Sequence, residues 1–541
     1  MNLFNPAQRK QSSQLLAGLT SGVLVAAGLL ISGAAPANAA GRPGRFDTSF
    51  SNNTNGGLNG QGSELAIQDN GKIVVSGDFT RVGRTKAHRI ARFNASGTPN
   101  RKFNRNIGSN GGLNGWAASV ALQNSGRIVT AGSFTRAGRN TTHRIARFNA
   151  NGTPNKKFNR NINTNGGLNE TARSLAVQDN GKIVVTGWFT TAGGALTNRI
   201  ASFNAGGTPN AVFNNNIVAN GGLDNTGSSL AVQDDGKIVV TGWFTAAGGA
   251  LTNRIARFNA NGTPDAAFNN NITVNGGLNE GGGSVVVQPD GKILVTGEFT
   301  AAGGAATNGI ARFNANGTPD VAFNNVIAAN GGLGGDGASV AAQADGKITV
   351  TGDFFSVGGE GVLHVGRFNA DGTPDTRFNT NISDSGGLNN FGSSVAMQAN
   401  GKILLTGGFT HAGGRRHVNR IARVYGKYKQ HPVAKCASLP KKLPASGRRT
   451  LVDLGCQTNA GQLVGVKVVA NKSKYDLVCK APGEEATTTG KAGYGRGFRS
   501  CPITHELRIR TKGQWGATTI TLKAPLTDSY TKYLKTRGYR R

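Results

Sequence analysis

Phe103, Phe158, Phe213, Phe268, Phe323 and Phe378 follow one another at intervals of 55 residues without exception. A Gly-Gly-Leu triplet keeps the same interval through Leu58, Leu113, Leu168, Leu223, Leu278, Leu333 and Leu388. A fixed period of this length is the mark of an array, in which each unit buries its apolar faces only against its neighbours. Seven copies of one unit therefore fill the middle of the chain, and whatever the protein does is built on that frame.

Unit four, "NGGLDNTGSSLAVQDDGKIVVTGWFTAAGGALTNRIARFNANGTPDAAFNNNI" (220–272), shows how the unit folds. "SLAVQ" and "KIVVTGWFT" are rich in β-branched residues and flank "DDG", a tight-hairpin signal in which Gly supplies the positive φ. "RIARFNA" is a third strand. "NGTPD" then turns the chain, Pro and Gly each fixing backbone angles, into an expected fourth strand around "AAFNNNI". The central strands are near-continuous apolar runs without strict alternation, which implies burial on both faces.

Strand counting reveals a phase shift. The first three strands occur seven times, ending at "NRIARVYG" (419–426), whereas the first copy of the fourth is "FDTSF" (46–50), ahead of everything else. The seventh unit lacks a fourth strand of its own. A closed ring lets the N-terminal segment fill that place and removes an exposed sheet edge; an open solenoid gives no reason for the shift. The expected fold is all-β: a seven-bladed β-propeller closed by an N-terminal strand, plus a small disulfide-bonded β-sandwich.

The stretches "VVVQPDGKILVTG" (285–297) and "RFNADGTPDTRF" (367–378) resemble the bacterial delta-60 repeat over roughly residues 44–426. That resemblance implies propeller architecture. It carries no catalytic motif, because the family has none in common.

Charge and the two ends divide the chain further. Arg9 and Lys10, the apolar run 15–31 and "ANA" (37–39) form a secretory signal pattern with cleavage near Ala39. The expected organisation is a signal peptide (1–39), the seven-repeat propeller (40–426), a basic linker (427–449) and a C-terminal basic β-domain (450–541). "LPASG" (443–447) superficially resembles a sorting signal but has no hydrophobic tail after it. The formal net charge is +33, of which +17 falls in residues 427–541. Such a field favours anionic partners without specifying a fold. Cys436, Cys456, Cys479 and Cys501 lie in the same segment. They contain no C-x-x-C pair, so two disulfides are expected rather than zinc. Three pairings are open, with Cys436–Cys456 and Cys479–Cys501 preferred. This module resembles basic C-terminal domains on other secreted bacterial proteins.

Candidate binding residues emerge where units differ. The loop after "TG-x-FT" carries Arg81, Arg84, Lys86 and His88 in unit one, and Arg136, Arg139 and His143 in unit two. In unit seven it carries His411, Arg415, Arg416 and His417, where units three to five have "GGALTN" or "GGAATN". Ring closure would join these loops into one positive sector, extended by Arg101, Lys102, Arg105, Lys156, Lys157 and Arg160, as a docking face for a polyanion. Trp188 and Trp243 share one place on adjacent units and serve either sugar stacking or packing. The turns "NANGTPD" and "NADGTPD" supply too few carboxylates for calcium. Asn59, Asn114, Asn169, Asp224, Asn279, Gly334 and Asn389 follow the Gly-Gly-Leu triplets. Their polar side chains serve either a polar ring near a channel or their own turns.

No H-E-x-x-H, other metal-ligand spacing or G-x-S-x-G elbow is present, and no metal or cofactor is expected. The expected protein is a secreted or cell-surface-associated, monomeric, non-enzymatic binding scaffold. Its propeller would recognise a glycan or another protein. Its basic module would associate with an anionic cell-wall polymer, glycan or membrane surface; nucleic acid is a poor match to that compartment. The competing class is a secreted propeller hydrolase or lyase with its site at the central channel mouth, for which a cluster of acids there would speak.

Overall fold

A computed structural model describes residues 42–426 apart from Ala344, Arg416 and His417, together with the backbone of eight strands beyond residue 426. Within 42–426 the seven units give seven antiparallel sheets of the same plan. In unit three the strands are Ala172–Val177, Ile183–Gly187 and Ile200–Phe203, with Val185 opposite both Leu175 and Ala201. Gly181 turns the first hairpin at φ 78°, a left-handed angle that a side chain would oppose. The chain thus folds as a series of small β-sheets, with a short helix in each repeat.

Both faces of the middle strand are buried, as its apolar run implies. Ile183 and Val185 pack with Phe189 and Phe203 in one core, while Val184 between them points into the next, beside Leu230, Val240 and Phe258. Each sheet is therefore shared by two cores. A fully buried Val or Ile contributes about 1.5–3 kcal/mol, so stacking of units, not any isolated unit, supplies the stability.

The expected fourth strand is instead a helix. Six of these helices follow units one to six: Arg101–Asn110, Lys156–Thr164, Ala211–Ala219, Ala266–Val274, Val321–Ala329 and Thr376–Asp384. The Asx residue of "TPD" or "TPN" is an N-cap: Asp265 accepts from the Phe268 N–H at 3.3 Å. Phe268 and Ile272, four residues apart, then bury one helical face. What replaces the strand is a side chain. The Asn269 carboxamide accepts from the Arg257 N–H at 2.8 Å and donates to the Arg257 carbonyl at 3.1 Å, so it satisfies the third strand's outer edge as a neighbouring strand would. Asn104, Asn159, Asn214, Asn324 and Asn379 do the same in their units.

The N-terminal segment carries the same correction. Phe46 makes a single antiparallel bridge to Val424, and a helix, Thr48–Asn53, follows with Asp47 as its cap. Its neighbour is nevertheless the one expected. Asp47 N–H donates to the Arg423 carbonyl at 2.7 Å, as Asn100 N–H does to that of Arg92 at 2.8 Å. Inter-unit contacts repeat across the chain ends too. Arg199 donates to the Leu223 carbonyl of the next unit at 3.2 Å, and Arg420 of unit seven donates to that of Leu58 in unit one at 3.1 Å. First strands lie beside first strands: the Leu175 N–H donates to Ser119 Oγ at 3.1 Å, and Gln61 Nε2 to Ser393 Oγ at 3.2 Å.

Beyond residue 426 the strands Val433–Lys435, Leu451–Asp453, Cys456–Thr458, Leu463–Asn471, Lys474–Lys480, Glu506–Arg510, Ile520–Lys523 and Tyr533–Thr536 form one antiparallel network. Val433–Lys435 pairs with both Gln457–Thr458 and Thr521–Lys523, so this fold draws a strand from the stretch expected to be linker. The side chains of Cys436, Cys456, Cys479 and Cys501, and with them the two expected disulfides, lie outside the described residues.

Candidate functional site

Where the first strand of each unit begins, its pairing with the second slips by one residue. Such a bulge inserts an unpaired residue and re-aims its side chain. The seven inserted residues are Ser63, Ala118, Arg173, Ser228, Gly283, Ala338 and Ser393. Next to them stand the residues just before the first strand's ladder and just after the second's, the variable position of "TG-x-FT". These positions together make one end of the set of first strands, and here the units stop being alike.

Aromatic residues collect on one side of this end. Arg173 is 3% exposed and lays its guanidinium 4.6 Å from the centre of the Trp188 ring, while Trp188 itself remains 47% exposed. Trp243 lies against the next unit at Gly281, where a Cβ would come within 2.6 Å of its ring, so glycine there makes room for the indole. Trp116 donates its indole N–H to Ser63 Oγ at 2.8 Å.

Carboxylates lie within electrostatic reach of Arg173. Burial, then the carboxylates of Asp336 and Glu280, push the Glu298 carboxyl up to about 7, with Arg173 acting the other way. Asp336 is raised by burial and by Asp353. Burial lowers Arg173 to about 10 despite Glu298. Units three, five and six thus bring a fixed cation, a half-open indole face and a carboxyl that titrates near neutrality to one place. Among the expected site residues, Trp188 and Trp243 belong to it. Arg173, Glu298 and Asp336 were missed. The signal was present in "TARSL" (171–175), where a long cation replaces the small residues of other units, but a bulge cannot be read from composition.

The basic loops lie elsewhere. Arg81 and Lys86 face each other in a two-residue ladder with Arg84 at its exposed tip, and Arg136–Thr141 repeats the arrangement with Arg139. Arg84, Arg101 and Arg105 line a groove of about 710 Å³. His88 is a turn residue at φ 40°, where other units place Asn198, Asn253 and Asn419 in the same conformation. Burial, Arg89 and Lys86 lower its pKa. His143 holds the matching place against Gly167. His411 Nδ1 bonds the Thr410 hydroxyl at 2.9 Å, and Arg415 donates to Asn52 at 3.1 Å. Arg416 and His417 lie outside the described residues.

Two further sets of residues are occupied structurally. Asn169 accepts from the Thr190 and Thr191 N–H groups and donates to Thr190 Oγ1, so the Asn set serves its own turns. In "NANGTPD" (259–265), Asn261 accepts from Thr263 and Asp265 pairs with Arg257 at 2.9 Å. Among the described residues no group of three His, Cys, Asp or Glu is placed to hold a metal, and no helix is long and apolar enough to cross a membrane.

Six tandem segments, 68–103, 123–158, 178–213, 233–268, 288–323 and 343–378, match the family described as "Domain of unknown function (DUF5122) beta-propeller". The six matched segments are similar to the repeats of a β-propeller family. Each match runs from the hairpin of the first two strands to the helix's buried Phe. Among solved structures, one described as "Structure of Dos1 propeller" is similar at 8% identity, covering 79% of this chain and 91% of that one, with a TM-score of 0.22. A second, "Bacteroides ovatus Xyloglucan PUL GH43B", is similar at 10% identity, covering 88% and 98%, with a TM-score of 0.21. No curated protein matches the chain.

Proposed function

We propose that the protein is a secreted binding scaffold in which seven units close into a seven-bladed propeller that takes a glycan at the bulged end of its first strands. The observation that carries this is the Arg173–Trp188 pair. A buried guanidinium behind an exposed indole fixes the ring, so its open face is preorganised for a sugar ring at little entropic cost. Glu298 and Asp336 supply hydroxyl-binding groups beside it, which suits an apolar platform with a few placed polar atoms. Residues 427–541, as a small basic β-sandwich with disulfides, would hold the protein on an anionic surface after export.

A glycan panel tests the mouth: wild type retains ligands that Trp188→Ala loses, and equal binding by both proteins overturns the reading. Release from cells at roughly 0.5 M salt, where exposed charge pairs are screened, tests surface retention. Retention by a chain ending at Gly426 would contradict it.

One observation favours a second reading, a glycoside hydrolase. Glu298, pushed up to about 7, is still about half protonated at neutral pH, as a general acid requires, and Asp336 stands beside it. Glycan turnover that disappears in both Glu298→Gln and Asp336→Asn would select this reading over simple binding.

A further inference from the structure

The groove of about 710 Å³ between the Arg81–Lys86 ladder and the Arg101–Asn110 helix is lined by Arg84, Arg101 and Arg105 together with Asn53, Asn55 and Thr98. No carboxylate is in that lining. Among the described residues none forms an ion pair with any of the three arginines, and all three are exposed.

Their placement works against the helix that carries two of them. Arg101 and Lys102 occupy its first turn, where the helix dipole is positive and no acid offsets them. Arg101 and Arg105 are like charges four residues apart on one face. The fold does not require this. Units three, four and five place Ala211, Ala266 and Val321 at the first position, Asn215, Asn270 and Asn325 at the second, and Gly194, Gly249 and Gly304 at the loop tip. The neighbouring unit two repeats the cations as Arg139, Lys156 and Arg160.

We propose that this groove and the matching cations of unit two form a binding track, separate from the bulged end of the first strands, for a linear polyanion bearing phosphate or sulfate groups. Guanidinium forks match tetrahedral oxyanions bidentately. Two successive sites on one flexible polymer reinforce each other through effective concentration, although each is open and weak alone. Nothing aromatic lines the groove, so it lacks the stacking platform that single-stranded nucleic acid uses, and a phosphate- or sulfate-bearing sugar or polyol chain is the occupant that fits.

The experiment uses the full mature chain and measures binding to polyphosphate, dextran sulfate, uncharged dextran and single-stranded DNA of equal charge across a salt series. Arg84→Gln/Arg101→Gln/Arg105→Gln should lose more than about tenfold in affinity for the first two and lower the salt slope by about 2, near 0.7 for each anion contact removed. Polyphosphate and dextran sulfate then distinguish a phosphate from a sulfate source. A matched triple, Lys72→Gln/Arg127→Gln/Lys182→Gln, alters the hairpin turns and should change affinity less than about twofold. Equal losses in both triples would show delocalised charge and overturn the track, as would an unchanged groove variant. Tighter binding to DNA than to polyphosphate would overturn the choice of occupant. Trp188→Ala should leave the polyphosphate affinity unchanged, so failure here is distinguishable from failure of the glycan reading.

Discussion

Asp47 grips Arg423 across 376 positions of the chain, its Oδ2 accepting from Nη2 at 2.8 Å and from Nε at 3.0 Å. The same pair forms locally in other units: Asp320 accepts from Arg312 at 2.8 Å and Asp265 from Arg257 at 2.9 Å, each eight residues away. Each arginine also lies over the helix's phenylalanine, Arg423 at 4.4 Å from Phe50 and Arg312 at 4.0 Å from Phe323. The N-terminal segment is thus chemically the missing last element of unit seven.

Removing that carboxylate should take the shared counter-charge from two buried cations, Arg423 and Lys402, the latter donating to Asp47 at 3.0 Å. Breaking a buried ion pair from one side costs about 3–5 kcal/mol. Asp47→Ala should therefore destabilise as much as Asp320→Ala, although Asp47 lies near one end of the chain. Thermal unfolding of the two variants checks this. An Asp47→Ala protein that melts with wild type would mean the ends are not joined.

Acid should act through the same groups. Burial alone would raise the Asp47 carboxyl, but Arg423 and Lys402 outweigh it, so it lies below its ordinary value of 3.8. Asp265, Asp320 and Asp375 are lowered in the same way by their Arg and Lys partners. A depressed carboxylate contributes stability above its unfolded pKa and loses it as pH falls through the folded one. The share of the unfolding free energy that these carboxylates contribute should hold above about pH 4 and fall steeply below it. A denaturant titration from pH 5 to pH 2 reads this directly, and Asp320→Asn should flatten the fall.

The helix that replaces the fourth strand makes its own prediction. Asn269→Ala would leave the Arg257 N–H without a partner in a buried place, at about 1–3 kcal/mol, while the Arg257 carbonyl keeps the Asp265 N–H at 2.9 Å. Asn269→Asp keeps only the acceptor and should fall between. Equal stability of all three proteins would mean the carboxamide does not close the sheet edge.

These elements also mark what the sequence makes legible. The period, the hairpins, the two-sided burial and the partner of "FDTSF" follow from spacing and apolar runs, because those are local or repeated. The helix was missed because "AAFNNNI" is short and Asn-rich, and its strand-like role passes to one side chain, Asn269, that no periodicity announces. The rest of the bulged end, beyond Trp188 and Trp243, was missed for a related reason. Arg173, Glu298 and Asp336 come from units three, five and six, and each departs from the repeat at a different position.

Glu64 is a further departure, with an alkaline consequence. It stands where units two to seven have Ser, and it keeps the Ser role: its Oε2 accepts from the Val120 N–H at 2.6 Å, as Ser119 Oγ does from Leu175. Burial pushes its carboxyl from 4.5 up to about 8, against the bonds from Ser119 and Val120. A raised carboxyl contributes stability below its unfolded pKa and loses it as pH rises toward the folded one, by at most about 1.4 kcal/mol per pH unit. Stability should therefore decline between about pH 5 and 8, and Glu64→Gln should remove the decline. A variant that declines as wild type does would place the titration elsewhere.

Glu298 should set a pH profile of its own in binding, in addition to its share of the stability profile. Below about pH 7 its carboxyl is protonated and can donate to a ligand oxygen; above, it adds a negative charge beside Asp336 and Glu280. Affinity for an acidic glycan should then fall as pH rises through about 7, whereas Glu298→Gln, neutral throughout, should show a flat profile across that range. Trp188→Ala should lower affinity at every pH without moving the midpoint, because it removes the stacking face and leaves the titrating group. Calorimetry at pH 5.5, 7 and 8.5 separates the two effects. A Glu298→Gln profile that still bends near 7 would assign the titration to another group and detach Glu298 from the ligand.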